Sequence, residues 1–244
     1  MSNYFIFNGQ SSLELGIRIR TKSIFSMPKY DMNFVSIPGR NGDLINSNKR
    51  IGNVSISYTC FVPAKSIEEL ATKIRNIKKW LYADVDSYHE FQDSYEPDFV
   101  RYAVFANKLD ITEQVNKIGV FTLTFSCKPF KYLEESLSLK EISQSGATLF
   151  NPYPFASKPY FRIEGNGSIN LIITNSKGTN TWYFSNVEGY IEIDSELMSC
   201  FKDTVLENKK MYGNDFPLLE GGENHIEVTG NVTKLSIIER WNVL

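Results

Sequence analysis

Phe34-Val35-Ser36-Ile37-Pro38-Gly39-Arg40-Asn41-Gly42-Asp43-Leu44-Ile45 joins two apolar ends through a proline, two glycines and an Asn-Gly pair. This pattern predicts the tip of a β-hairpin. Asn-Gly favours the primed two-residue turns whose twist matches the flanking strands, and Pro38 has no amide to donate to a strand pair. Gly42 is expected at positive φ, where a β-carbon is costly. Apolar alternation returns at Val54, Ile56, Tyr58 and Cys60, so residues 31–62 read as a long two-stranded arm. Such an arm exceeds what a connection needs, and extended strands suit pairing with the sheet edge of another chain. Pro38, Gly39, Arg40, Asn41, Gly42 and Asp43 are therefore the candidate assembly residues.

Outward from the arm, 244 residues suffice for two β domains that each bury a core. The formal charge of -2 lacks the basic excess of a phosphate-tracking surface, so nucleic acid is not expected as a partner. Aromatic residues make up 14% of the chain, an enrichment that fits sheets and fits protein and sugar interfaces equally. Cys60, Cys127 and Cys200 are odd in number and widely spaced, and the first two fall in strand patterns where a thiol fills apolar space; all three are expected to be reduced. The N-terminus shows no basic segment followed by an apolar one, and no apolar run approaches the roughly 20 residues that span a bilayer. Synthesis in a cytoplasm without a membrane partner is expected.

In chain order, Tyr4–Phe7 and Leu15–Arg20 read as short strands on either side of an Asn8-Gly9 turn. Ser66-Ile67-Glu68-Glu69 is a capping box, and it opens a helix predicted over residues 66–82. Ile67, Leu70, Ala71, Ile74, Ile77 and Leu81 form its apolar stripe, with Lys73, Arg75, Lys78 and Lys79 on the other side. Strands at Ser87–Phe91 and Phe99–Ala106 flank an acidic turn, Gln92–Asp98. From Ile118 to Cys127 alternation points Phe121, Leu123, Phe125 and Cys127 to one side, as in a closing strand. The first domain is thus expected over residues 1–132. Periodicity then fades, and Pro152, Pro154 and Pro159 mark a linker and first strand region at 133–159. Strand signals at sandwich spacing fill the second domain, residues 160–244.

No chemistry stands out. His89 and His225 are the two histidines, neither is near a cysteine in sequence, and His89-Glu90 lacks the second histidine of a zinc-protease helix. Asp84, Asp86, Glu90, Asp93, Glu96 and Asp98 do not follow calcium-loop spacing and read as a solvated acidic rim. Gly39 and Gly42 are turn glycines, since no Gly-Lys-Ser/Thr follows to open a helix. No catalytic, cofactor or metal residue is expected. In Trp182-Tyr183-Phe184, alternation sends Trp182 and Phe184 to the core and leaves Tyr183 outside as a possible glycan or partner contact. A glycan-binding module and, more remotely, a carboxylate-pair glycoside hydrolase stay open as alternatives.

Several stretches resemble one family. Phe5-Ile6-Phe7-Asn8-Gly9 through Gly16-Ile17, the Ser36–Gly42 turn, and Asp93–Tyr102 with its Glu96-Pro97-Asp98 are similar to the N-terminal domain of the distal tail proteins of long-tailed phages of Gram-positive bacteria. Ile193-Asp194-Ser195-Glu196-Leu197, Gly213–Asn224 and Glu239-Arg240-Trp241 are similar to the C-terminal domain of that family, in matching order. The resemblance implies a mainly β chain: an N-terminal β-sandwich-like domain with a long hairpin arm and one helix, then a C-terminal galectin-like β-sandwich. It further implies a structural, non-enzymatic baseplate hub in the virion tail of a phage or prophage, acting in host adsorption. Six copies would form a ring, with the tail tube protein above and tail-associated or receptor-binding proteins below. The alternative function is a carbohydrate-binding module that recognises host cell-wall glycan.

Overall fold

The computed structural model describes residues 3–114, 117–143 and 146–244. The chain is mainly β, in curled sheets that form sandwich-like folds. It divides into two compact units, Met1–Lys131 with Leu244, and Tyr132–Val243.

The first unit holds strands β1 (Phe5–Phe7), β2 (Gln10–Ser11), β3 (Arg18–Lys22), β4 (Tyr30–Val35), β5 (Leu44–Ile51), β6 (Val54–Pro63), β7 (His89–Asp93), β8 (Glu96–Val104), β9 (Ile111–Gln114) and most of β10 (Ile118–Leu133). Helix α1 (Ile67–Leu81) lies between β6 and β7 in sequence. The main sheet runs β2-β1-β7-β8-β10-β6-β3, while β4 and β5 pair with each other alone. In β10, Phe121, Leu123, Phe125 and Cys127 are buried, as the alternation requires.

Three boundaries differ from the sequence reading. First, the arm expected over residues 31–62 is split: Val54–Pro63 is body strand β6, paired with β10 from Val54↔Cys127 to Pro63↔Ile118. Val54, Ile56, Tyr58, Cys60 and Val62 give β6 an unbroken apolar face, which the core takes up. Residues 46–50, Asn-Ser-Asn-Lys-Arg, offer nothing to bury, and they stay in the hairpin. Second, β7 and β8 pair as far as Asp93↔Glu96, so the turn between them is Ser94-Tyr95, and Pro97 and Asp98 belong to β8. Third, residues 133–159 fall within the second unit. Their strands β11 (Lys140–Ile142) and β12 (Ala147–Asn151) both pair with the long β18 (Gly222–Ile238). Positions 144 and 145 of that stretch lie outside the described residues.

Helix α1 starts at the expected N-cap, Ser66, but the returning carboxylate of the capping box reaches one residue further, to Lys65. The Glu69 amide donates to Ser66 Oγ at 3.2 Å, and the Glu69 carboxylate reaches back to accept from the Lys65 amide at 2.8 Å. Its buried stripe is Leu70, Ile77, Trp80 and Leu81. Ile67, in the first turn, is exposed, whereas Trp80 packs on Phe5 at 5.9 Å between ring centroids and donates its indole N–H to the Phe7 carbonyl at 3.1 Å. Phe5, Phe7, Tyr58, Phe91 and Phe125 complete an aromatic core, with centroids as close as 4.6 Å for Phe5 and Tyr58.

One polar group sits against that core. The Asp93 carboxylate accepts from Lys22 Nζ at 2.6 Å, Tyr58 Oη at 2.7 Å and the Tyr95 amide at 2.7 Å. Asp93 and Lys22 side chains are both buried. Burial first, then the Asp93 charge, raise the Tyr58 phenol far above its ordinary range, so it remains a donor.

In the second unit, β13 (Tyr160–Asn175), β14 (Gly178–Asp194) and β18 are the long strands. With β15 (Ser199–Lys202) and β16 (Val205–Leu206) they run in the order β11-β18-β13-β14-β15-β16, and β17 (Met211–Tyr212) pairs with β14. Phe161, Ile163, Leu171, Trp182, Phe184 and Ile226 are among the side chains that fill its core. Two of the stretches that carry the resemblance meet here: Arg240 grips Asp194 with two N–H donors, at 2.7 and 2.8 Å. Burial opposes the Asp194 charge, but Arg240 and the amides of Leu197 and Glu196 outweigh it and hold its carboxyl below the usual range. The three cysteines are buried and free, and burial pushes their thiols up to about 12.

Candidate assembly interface

The hairpin formed by β4 and β5 is paired from Tyr30↔Ile51 to Val35↔Leu44, with a register shift after Asp31. The shift is accommodated at Lys49, where φ is +52° and Ser47 Oγ accepts from the Lys49 amide at 3.0 Å. Asn48 donates to Asp31 across the same kink at 3.0 Å. Beyond the last pair the chain makes a loop over residues 36–43. Within it the Arg40 amide donates to the Ile37 carbonyl at 3.1 Å, closing a turn with Pro38 and Gly39 in the middle. Pro sets φ at the first of these positions, and Gly39 takes φ +79° at the second, which are the demands of a type II turn.

Asn41-Gly42 therefore does not form the two-residue primed turn expected of it. Gly42 has φ +83°, but Asn41 is not at positive φ. The primed turn is made instead by Asn8-Gly9, with φ +50° and +72° between the paired residues Phe7 and Gln10. In the arm the Pro38-Gly39 turn has already reversed the chain, so the wider loop leaves Asn41 in ordinary space.

Every residue from Met32 to Arg50 is exposed. Pro38, Gly39, Arg40, Asn41, Gly42 and Asp43 sit together at the tip, and behind them lie two apolar cross-strand pairs, Phe34↔Ile45 and Val35↔Leu44. Phe34 is 64% exposed and Ile45 61%. Phe25 and Met27, just before β4, are exposed further still. An isolated two-stranded hairpin is marginal in water, and an exposed apolar edge invites pairing with another chain. Sequence pattern alone could have marked Phe34 and Ile45, because they flank the turn without any second apolar layer in the hairpin to cover them.

A β-carbon added at Gly42 meets no atom within 4 Å, so the cost of Gly42→Val is set by the left-handed backbone, about 1 kcal/mol. The melting temperature should stay at the parent value because the loop touches no core residue. Each arm contact should weaken about fivefold, read by sedimentation velocity over a concentration series. An unchanged association would remove the loop from the interface.

Elsewhere, the aromatic triplet falls as alternation demands: Trp182 and Phe184 are buried, and Tyr183 is partly exposed. Tyr183 pairs with Tyr212, rings 5.7 Å apart, and shares a hydrogen bond of 2.8 Å with Ser168. His89, in the first unit, contacts the Asp84 carbonyl at 2.7 Å, and His225, in the second, contacts Thr148 at 3.2 Å. Among the described residues no three His, Cys, Asp or Glu side chains come together as a metal site. No helix among them is long and apolar enough to cross a membrane.

The family described as phage tail protein RIFT-related domain matches residues 8–127. No curated protein matches the chain. Among solved structures, the chain is similar to the Dit (gp 19.1) protein of phage SPP1, described as a paradigm of the hub adsorption apparatus in phages infecting Gram-positive hosts. The two share 12% identity over 100% of both chains, with a TM-score of 0.75. It is also similar to a chain of the phage p2 baseplate in its activated conformation with Sr, at 12% identity over 97% of both chains and a TM-score of 0.52.

Proposed function

We propose that this chain, whose residues 8–127 match the phage tail protein RIFT-related domain family, is the baseplate hub of a long-tailed phage or prophage tail, assembled as a ring of six copies. Its role is structural. The ring joins the tail tube protein above to tail-associated or receptor-binding proteins below, and so serves host adsorption from the virion tail. The observation that carries this reading is the arm, whose residues from Met32 to Arg50 are all exposed. A closed ring needs a contact in which one surface of each copy meets a different surface of the next. A projecting hairpin that seats on a neighbour supplies that asymmetry, and its apolar pairs supply the burial that holds it. The SPP1 protein that shares the fold is described as a paradigm of the hub adsorption apparatus, which supports the same reading.

Negative-stain electron microscopy of the purified full chain tests it. Class averages with six-fold symmetry are expected. Particles the size of a single copy at micromolar concentration would contradict it.

A further inference from the structure

The second unit carries an open cleft of about 320 Å³ between the tip of the β13–β14 hairpin and the segment 213–220. Both walls are pinned by buried groups. At the hairpin tip, Asn175 accepts from the Lys177 amide at 3.0 Å and donates to Asn224 at 3.2 Å. Asn224, fully buried, accepts from the Glu220 amide and donates to the Glu220 carbonyl, each at 2.8 Å. At the other end of the segment, the Trp182 indole donates to the Asp215 carbonyl. Gly213 lies so close on the Trp182 ring that a β-carbon would stand 2.4 Å from it. The cleft is a fixed feature of the fold.

What lines it is chemically specific. Among the described residues, the side chains of Lys177, Asn180 and Glu220 make no hydrogen bond or ion pair within the chain, and these residues line the cleft together with Asp215, whose carboxylate accepts from the Phe216 amide at 2.8 Å. Beneath them Phe216 and the edge of Trp182 give a small apolar floor. Amides and carboxylates over an aromatic surface are the groups that take paired ring hydroxyls on one side and a C–H face on the other. Two carboxylates against one ammonium leave the cleft acidic, which disfavours phosphate-bearing ligands. We propose that this cleft binds a neutral saccharide. The assignment does not involve Tyr183, which is not part of the cleft lining. It stands apart from ring assembly, since a chain that failed to form rings would keep the same cleft.

Saturation-transfer NMR on the full chain tests it, with glucose, galactose, rhamnose, N-acetylglucosamine and N-acetylgalactosamine as neutral probes and glycerol 3-phosphate as the anionic one. Transfer to at least one neutral sugar and none to glycerol 3-phosphate is expected. Asn180→Ala and Glu220→Gln should each weaken that sugar about tenfold, the effect of losing one hydrogen bond to a polar or charged group. Asn180 is exposed on the hairpin, so its variant should melt with the parent, and lost binding there reports the site rather than the fold. Absence of transfer to every sugar, tighter binding of glycerol 3-phosphate, or parental affinity in both variants would overturn the assignment.

Discussion

Asp93→Ala should destabilise the first unit by about 3–5 kcal/mol and lower its melting temperature by about 10 °C or more. The carboxylate accepts from Lys22, Tyr58 and the Tyr95 amide at 2.6 to 2.7 Å, and removing it leaves the buried phenol without an acceptor and the buried ammonium without its counter-charge, with only Ser94 Oγ at 3.5 Å and the Tyr95 ring beside it. An uncompensated buried charge is the dominant cost, larger than the lost hydrogen bonds themselves. The double variant Asp93→Ala with Lys22→Met should therefore recover part of the loss, because it removes the stranded charge as well. Urea unfolding of the three proteins measures this. A single variant within about 1 kcal/mol of the parent, or a double variant no better than the single, would show that the pair is not what fastens β3 to the β7–β8 turn.

The helix and the closing strand were legible because their signals are local. Ser66 and Glu69 fix one end of α1 through bonds a few residues long, and the 3.6-residue period does the rest. Strand β10 and the Trp182/Phe184 alternation read correctly for the same reason: a period of two assigns a face whatever the partner strand is. The end of the arm was not legible, since Leu44–Ile51 and Val54–Pro63 are both extended. Only the partner, β10 in one case and β4 in the other, separates them. The Asn-Gly pair misled in a similar way. At residues 8–9 the dipeptide makes the primed turn, whereas at 41–42 the preceding Pro-Gly turn has done that work.

Asp93 looked like one acid in a solvated rim because Lys22 and Tyr58, its partners, are remote in sequence. The cleft was hidden likewise, since Asn180 and Glu220 come to line one cleft only once β14 and the 213–220 segment are folded. What the sequence did carry was the set of stretches resembling the distal tail family. Several of these prove to be polar fasteners, with Asp194 bound to Arg240 and Asn224 holding Glu220.

Deleting Phe34–Ile45 should abolish self-association while leaving the fold intact. The deletion removes both apolar cross-strand pairs and the whole tip, and none of these residues contributes to the core of the first unit. Burial of a Phe or Ile side chain contributes roughly 1.5–3 kcal/mol. Four such side chains per arm, with main-chain pairing to a neighbour's sheet edge, are enough to decide whether copies hold together at micromolar concentration. The milder double variant Phe34→Ser with Ile45→Ser keeps the hairpin and its loop, and it should lose about 3 kcal/mol or more per contact, over a hundredfold in dissociation constant. Both proteins should melt close to the parent monomer.

Light scattering coupled to size exclusion, run on the parent chain and on the chain lacking residues 34–45 at equal concentration, tests the assembly reading most directly. The parent should elute at six times the mass of one chain and the deletion at the mass of one. A deletion that elutes at the same copy number as the parent would place the interface outside the arm and contradict the account.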